Sequence, residues 1–187
     1  MDIYLIRHTQ TAATQGLCYG QYHVELADSF TDELAALQQK LPELKNDCRV
    51  YSSRLHRCLQ LATHFSAAVI TDERLLELNF GAWEGVLFND IAPEALQYWT
   101  DNFVNSSPPN GESFTDLYLR AGAFWRELLA TEAEQVLIFT HAGVIRALLA
   151  HILNLPLANA FQFRVDCGSV HKFQYLHEYT YIHYLNL

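Results

Sequence analysis

The chain has 187 residues, half of them hydrophobic, with a net charge of −9 and four cysteines. Such a length suits one well-cored domain over 1–187, and the apolar content is too high for a disordered chain. The acidic balance argues against nucleic acid as a bulk partner, and no uncharged apolar run approaches the roughly 20 residues that a membrane helix requires.

The first element is Asp2 to Arg7, a β-prone apolar run that reads as a buried strand. It carries no basic leader followed by an apolar core, so no secretory signal is expected and the cytoplasm is the default location. A polar loop runs through Gly20. A helix then starts at Ser29 or Thr31 and continues through Leu34, Leu37 and Leu41. Cys48 to Ser52 reads as a second strand, Leu55 to Phe65 as a second helix and Ala67 to Thr71 as a third strand.

The segment 79–110 differs in character. It is rich in aromatics (Phe80, Trp83, Phe88, Tyr98, Trp99, Phe103), is expected to be broken at Pro93, and closes in a Ser-Pro-Pro-Asn loop. Beyond it, Phe114, Leu117, Ala121, Phe124 and Leu128 form a helical stripe with Ser113 as the N-cap, and Trp125 reads as core. Gln135 to Thr140 is another buried strand. Val144 to Leu153 is a helix stopped by Pro156, and the tail from Phe161 alternates as strands do. The cysteines (Cys18, Cys48, Cys58, Cys167) form no paired motif and read as reduced, packed thiols.

Strands alternating with helices predict an α/β fold: a three-layer sandwich with a mainly parallel sheet and helices on both faces. Ligands in such sheets bind beyond the carboxyl ends of the strands. Arg7-His8 closes the first strand, Arg57 follows the second, and Thr140-His141-Ala142-Gly143 follows the strand at 135–140. Two histidines and two arginines thus converge on one rim.

A phosphate dianion suits permanently charged, forked donors, which Arg7 and Arg57 supply, with His141 as a third donor. Neutral His8 is then placed to attack phosphorus through a ring nitrogen. The departing alkoxide needs a proton. Glu77 is the best candidate acid, and a bound dianion would favour its protonated form. The remaining histidines show no spacing suited to a metal, and neither a metal nor another cofactor is expected. Trp99 is the candidate platform for the non-phosphate part of the ligand, with 79–110 as an insertion covering the substrate.

Leu5-Ile6-Arg7-His8-Thr9-Gln10-Thr11 resembles the Arg-His-Gly signature of the histidine phosphatase superfamily, the phosphoglycerate mutase-like fold. The segments 53–62, 76–85, 110–114 and 140–146 are similar to that family's second-arginine, proton-donor, Gly-Glu-Ser and second-histidine motifs, and they occur in the family's order. The resemblance implies that His8 is phosphorylated, that Arg7, Arg57 and His141 hold the phosphoryl oxygens, and that Glu77, rather than Glu73 or Glu84, is the acid. Thr9 departs from the usual glycine, and Thr14 stands where many members have asparagine.

Residues 18–21 with 26–30 are most similar to α-ribazole phosphatase-like members, which implies hydrolysis of α-ribazole 5′-phosphate in cobalamin synthesis. Two rival functions stand beside this one: a mutase acting on glycerates, and a catalytically inactive module that reads phosphate. The short chain disfavours the mutase, and a mere reader needs neither nucleophile nor acid. The expected partner is a small phosphate ester, with a homodimer left open.

Overall fold

The computed structural model describes all of residues 1–187. Its elements are β1 (Asp2–Arg7), α1 (Phe30–Lys40), β2 (Arg49–Ser52), α2 (His56–Thr63), β3 (Val69–Thr71), α3 (Pro93–Asn102), α4 (Phe114–Leu129), β4 (Gln135–Thr140), α5 (Ala142–Leu153), β5 (Val170–Leu176) and β6 (Tyr179–Tyr184). One six-stranded sheet has the order β3-β2-β4-β1-β5-β6. The pairings β2–β3, β2–β4 and β1–β4 are parallel, while β1–β5 and β5–β6 are antiparallel. The parallel part follows the alternation of strands and helices; the antiparallel edge is the chain's tail folded back on β1.

Period-two alternation builds the layers. Ile3 and Leu5 of β1, with Val136 and Ile138 of β4, pack against α4 and α5. Tyr4 and Ile6, with Leu137 and Phe139, pack against α1 and α2 on the opposite face. Both faces being covered, these two central strands are apolar throughout rather than alternating. In α4, Ser113 accepts from the Asp116 amide while the Asp116 side chain accepts from the Ser113 amide, a complete capping box. No helix is long and apolar enough to cross a membrane.

Three local expectations need correction. Pro93 does not break the aromatic segment; it opens α3, where its missing N–H costs nothing. Helix α5 begins at Ala142 rather than Val144; it ends at Leu153 as expected, but what stops it is the Asn154 cap, whose left-handed φ of 51° turns the chain before Pro156 is reached. The tail is not extended from Phe161, because residues 157–162 form a 3-10 turn and β5 begins only at Val170.

Candidate active site

The register of the two central strands sets the rim. Arg7 pairs with Thr140, so the next residue on each strand, His8 and His141, arrive side by side, their rings 5.3 Å apart and edge to face. His8 is 3% exposed. Its Nδ1 lies 2.7 Å from the carbonyl oxygen of Thr9, which can only accept, so Nδ1 carries the proton and Nε2 keeps its lone pair. Burial, then the charges of Arg57 and Arg7, push His8 down to about 3, so the ring is neutral at physiological pH.

A cavity of about 370 Å³ is lined by Arg7, His8, Arg57, Glu77 and Arg146, with Tyr19, Phe80 and Phe88 among its walls. Arg57, in the first turn of α2, is only 1% exposed. It donates from Nε to His141 Nδ1 (3.3 Å), from one terminal nitrogen to Tyr22 O (3.2 Å) and from the other to Gly20 O (2.5 Å). Each terminal nitrogen retains a second N–H. Gly20 has no alternative here, since a Cβ would collide with the carbonyl oxygen of Leu78. Arg7 donates to Val165 O at 2.7 Å, and its buried Nε has no protein partner.

Glu77 enters from the segment after β3. Its Oε2 accepts from the Gly143 amide (3.1 Å) in the first turn of α5, and its Oε1 from the Leu78 amide (3.0 Å). A side chain at residue 143 would occupy the place of the carboxylate, so glycine there lets Glu77 reach the helix N-terminus. The other two carboxylates weighed as acids lie elsewhere. Glu73 is exposed and pairs with Arg54 at 3.1 Å. Glu84 accepts from the amides of Gln21, Tyr22 and Phe80, bracing the loop whose carbonyls hold Arg57.

His141 is fully buried and stands behind the cavity wall. Its Nδ1 accepts from Arg57, so Nε2 carries the proton and donates to Ser53 Oγ at 2.8 Å. Burial, then Arg57, hold it well below the ordinary histidine range. Both ring nitrogens are thus engaged with protein, whereas the sequence reading had it donating to phosphate. Trp99 does not line the cavity either. Its ring packs edge-on against Phe80 and Trp83, and Phe80 is the ring that faces inward. Phe103 packs against Phe114 and Phe161.

Arg146 was not singled out from the sequence. It donates from Nε to Phe163 O (3.1 Å), lies over the Phe161 ring and lines the cavity. The available signal was a lone arginine on the otherwise apolar helix α5. Thr14 lines an adjoining cavity of about 570 Å³ that shares Arg7, Leu17 and Tyr19 with the first, while Thr9 is fully buried. Nowhere do three His, Cys, Asp or Glu side chains converge as metal ligands.

The arrangement offers a neutral nitrogen nucleophile, a cationic clamp and a carboxyl group within one small cavity. The sequence model of the Histidine phosphatase superfamily (branch 1) matches residues 3–187. The chain belongs to that superfamily. The reaction class read from the sequence stands with it: this is a phosphatase of the histidine-nucleophile type. The chain is 29% identical over 177 residues to the adenosylcobalamin/alpha-ribazole phosphatase of Salmonella typhimurium, covering 90% of this chain and 87% of that one. It is 30% identical over 172 residues to the glucosyl-3-phosphoglycerate phosphatase of Mycobacterium tuberculosis, covering 83% and 76%. The crystal structure of the alpha-ribazole phosphatase from Shigella flexneri superposes with a TM-score of 0.91 at 26% identity, covering 100% of this chain and 96% of that one.

Proposed function

We propose that this phosphatase hydrolyses α-ribazole 5′-phosphate through a phosphohistidine at His8. The observation that carries the mechanism is the unprotonated His8 Nε2 in a cavity it shares with Arg7, Arg57 and Glu77. The phosphoryl oxygens take the free N–H groups of Arg7 and Arg57, which draw charge from phosphorus as the transition state forms. The His8 lone pair forms the P–N bond, the P–O bond to the alcohol breaks, and Glu77 gives its proton to the departing oxygen. Water then attacks phosphorus while the Glu77 carboxylate takes its proton. The P–N bond breaks, its electron pair returns to Nε2, and inorganic phosphate leaves. His141 keeps Arg57 in place through Nδ1.

The walls support a substrate with a flat apolar part, since Tyr19, Phe80 and Phe88 border the cavity, and the similarity to α-ribazole phosphatases points the same way. Arg146 favours a second reading, in which a carboxylate on the substrate meets its unpartnered terminal nitrogens, as on a glucosyl-phosphoglycerate.

Rapid quench with ³²P-labelled α-ribazole 5′-phosphate should trap acid-labile, base-stable label on the wild-type protein and none on His8→Ala, which should also lack turnover. Near-normal turnover by His8→Ala would remove His8 as the nucleophile. Higher kcat/KM on glucosyl-3-phosphoglycerate than on α-ribazole 5′-phosphate would move the assignment to the second reading.

A further inference from the structure

The carboxyl of Glu77 is held at its tip by two amides, but the backbone beneath it is irregular and lies outside the sheet. Arg120, on α4, fastens that backbone. Its Nε donates to Glu112 Oε1 (2.8 Å), one terminal nitrogen donates to the carbonyls of Arg74 (2.8 Å) and Leu76 (2.6 Å), and the other to the carbonyl of Glu77 (3.0 Å) and to Glu112 Oε2 (2.9 Å). A guanidinium has five N–H donors, and here each has its own acceptor. Glu112 adds two ties of its own: Oε2 accepts from the Asn79 amide at 2.9 Å, and its amide donates to Asn79 O at 2.8 Å.

We propose that Arg120 and Glu112 form a positioning pair that fixes the proton-donating carboxyl of Glu77 against the His8 cavity. This rests on reading Glu77 as the acid. With no donor left over and no place in the cavity lining, Arg120 does not bind substrate. Its carbonyl partners bracket Glu77, and the Glu112 ties close the neck of the 79–112 segment immediately after the acid. The capping box at Ser113 fixes the start of α4, so Glu112, just ahead of that helix, and Arg120, within it, face the same segment. Lysine cannot replace this fork, because three donors on one nitrogen do not reach acceptors spread across a plane.

The test uses the full chain and two substrates. Para-nitrophenyl phosphate has a leaving group that departs largely unaided, and glycerol 2-phosphate has one that needs the proton. Positioned acid–base groups contribute ~10²–10⁴-fold, so a misplaced acid should lose a part of that: Arg120→Lys should lower kcat/KM on glycerol 2-phosphate, which reports only the steps through phosphoryl transfer to His8, by about 10–100-fold. On para-nitrophenyl phosphate the loss in kcat/KM should stay below about threefold, because hydrolysis of the phosphohistidine, where Glu77 also acts, does not enter that ratio. Glu112→Gln, which keeps the shape and removes the charge, should shift the two substrates in the same unequal way and carries the test if Arg120→Lys does not fold.

In a Glu77→Gln background, Arg120→Lys should cost less than about threefold more on glycerol 2-phosphate, since the two act through one group. Equal losses on both substrates, or an additive loss in the double variant, would reduce the pair to a structural role and overturn the proposal. If Glu77→Gln alone shows no dependence on the leaving group, the acid assignment itself falls. That result is distinct from an Arg120 failure beside a leaving-group-sensitive Glu77→Gln.

Discussion

Acid should unfold this protein well before its carboxylates are neutralised, because three histidines are buried in their neutral forms. His8 is pushed down to about 3 and His171 to about 4, in both cases chiefly by burial, and His141 lies well below its ordinary range. The hydrogen bonds agree. His171 Nδ1 accepts from the Asn186 amide and His141 Nδ1 from Arg57, and protonating either nitrogen would break the bond. Each histidine titrates near 6.5 once the chain is unfolded. Their stabilisation is therefore complete above that pH and declines as the pH falls toward the folded values. At pH 5 the unfolded chain gains about RT ln(1 + 10^1.5), or ~2 kcal/mol, per histidine. For His8 and His171 together that is about 4 kcal/mol, with His141 acting in the same direction, against the ~5–15 kcal/mol that holds a typical domain. Asp116, held low by its hydrogen bonds from Ser113, would be lost only below its unfolded value near 3.8 and does not confuse the window. Urea unfolding followed by circular dichroism at pH 7.5 and 5.0 measures the difference, in buffers free of phosphate so that no dianion protonates the site. With a slope of about 2 kcal/mol/M, the midpoint should drop by ~2 M or more. His171→Gln, at a residue outside the cavity lining, should reduce that drop by about 1 M whatever it does to stability at pH 7.5. A loss below ~1 kcal/mol, or a His171→Gln profile parallel to the wild type, would refute the reasoning.

Phe80→Ala should narrow the preference for α-ribazole 5′-phosphate over glycerol 2-phosphate several-fold, since an aromatic contact is worth ~0.5–1.5 kcal/mol beyond its buried area. Trp99→Ala should instead lower the urea midpoint with less effect on that ratio, and the reverse pattern would restore Trp99 as the substrate platform. Exhaustive chelation should leave turnover intact and vanadate should compete with substrate; a loss restored by added magnesium or zinc would show that the arginines do not supply all of the positive charge.

What was legible in the sequence divides along physical lines. Strands β1 and β4 have the bounds read from the sequence, because a run covered on both faces is apolar throughout and ends abruptly at Arg7 and Thr140. The rim followed from these strand ends. Helix α4 declared itself through its stripe and its cap. The segment 79–112 was opaque, since its shape depends on remote hydrogen bonds, such as those of Glu84 to Gln21 and Tyr22, that have no local signature. Its aromatics were visible as a group, but nothing local distinguished Phe80, which faces the cavity, from Trp99, which packs behind it. Arg146 was hidden because a charge on a helix ordinarily faces solvent, and the engaged nitrogens of His141 are a matter of rotamer and tautomer, which sequence does not encode locally.

The segment after Glu77 has a small core of its own. Trp83 and Ile91 are buried there with Cys18, and Phe80, Phe88 and Trp99 pack around them. The chemistry hangs instead on the ends of β1 and β4, rooted in the two clusters on the sheet faces. Inheritance can therefore act on the two parts at different rates. Insertions, deletions and changes of wall residues between Asn79 and Glu112 can accumulate while the neck is kept, and each new version meets the same nucleophile. A lineage of such proteins can diversify its metabolites without reinventing its reaction, and in a comparison of descendants this segment should be where their lengths and aromatic patterns diverge first.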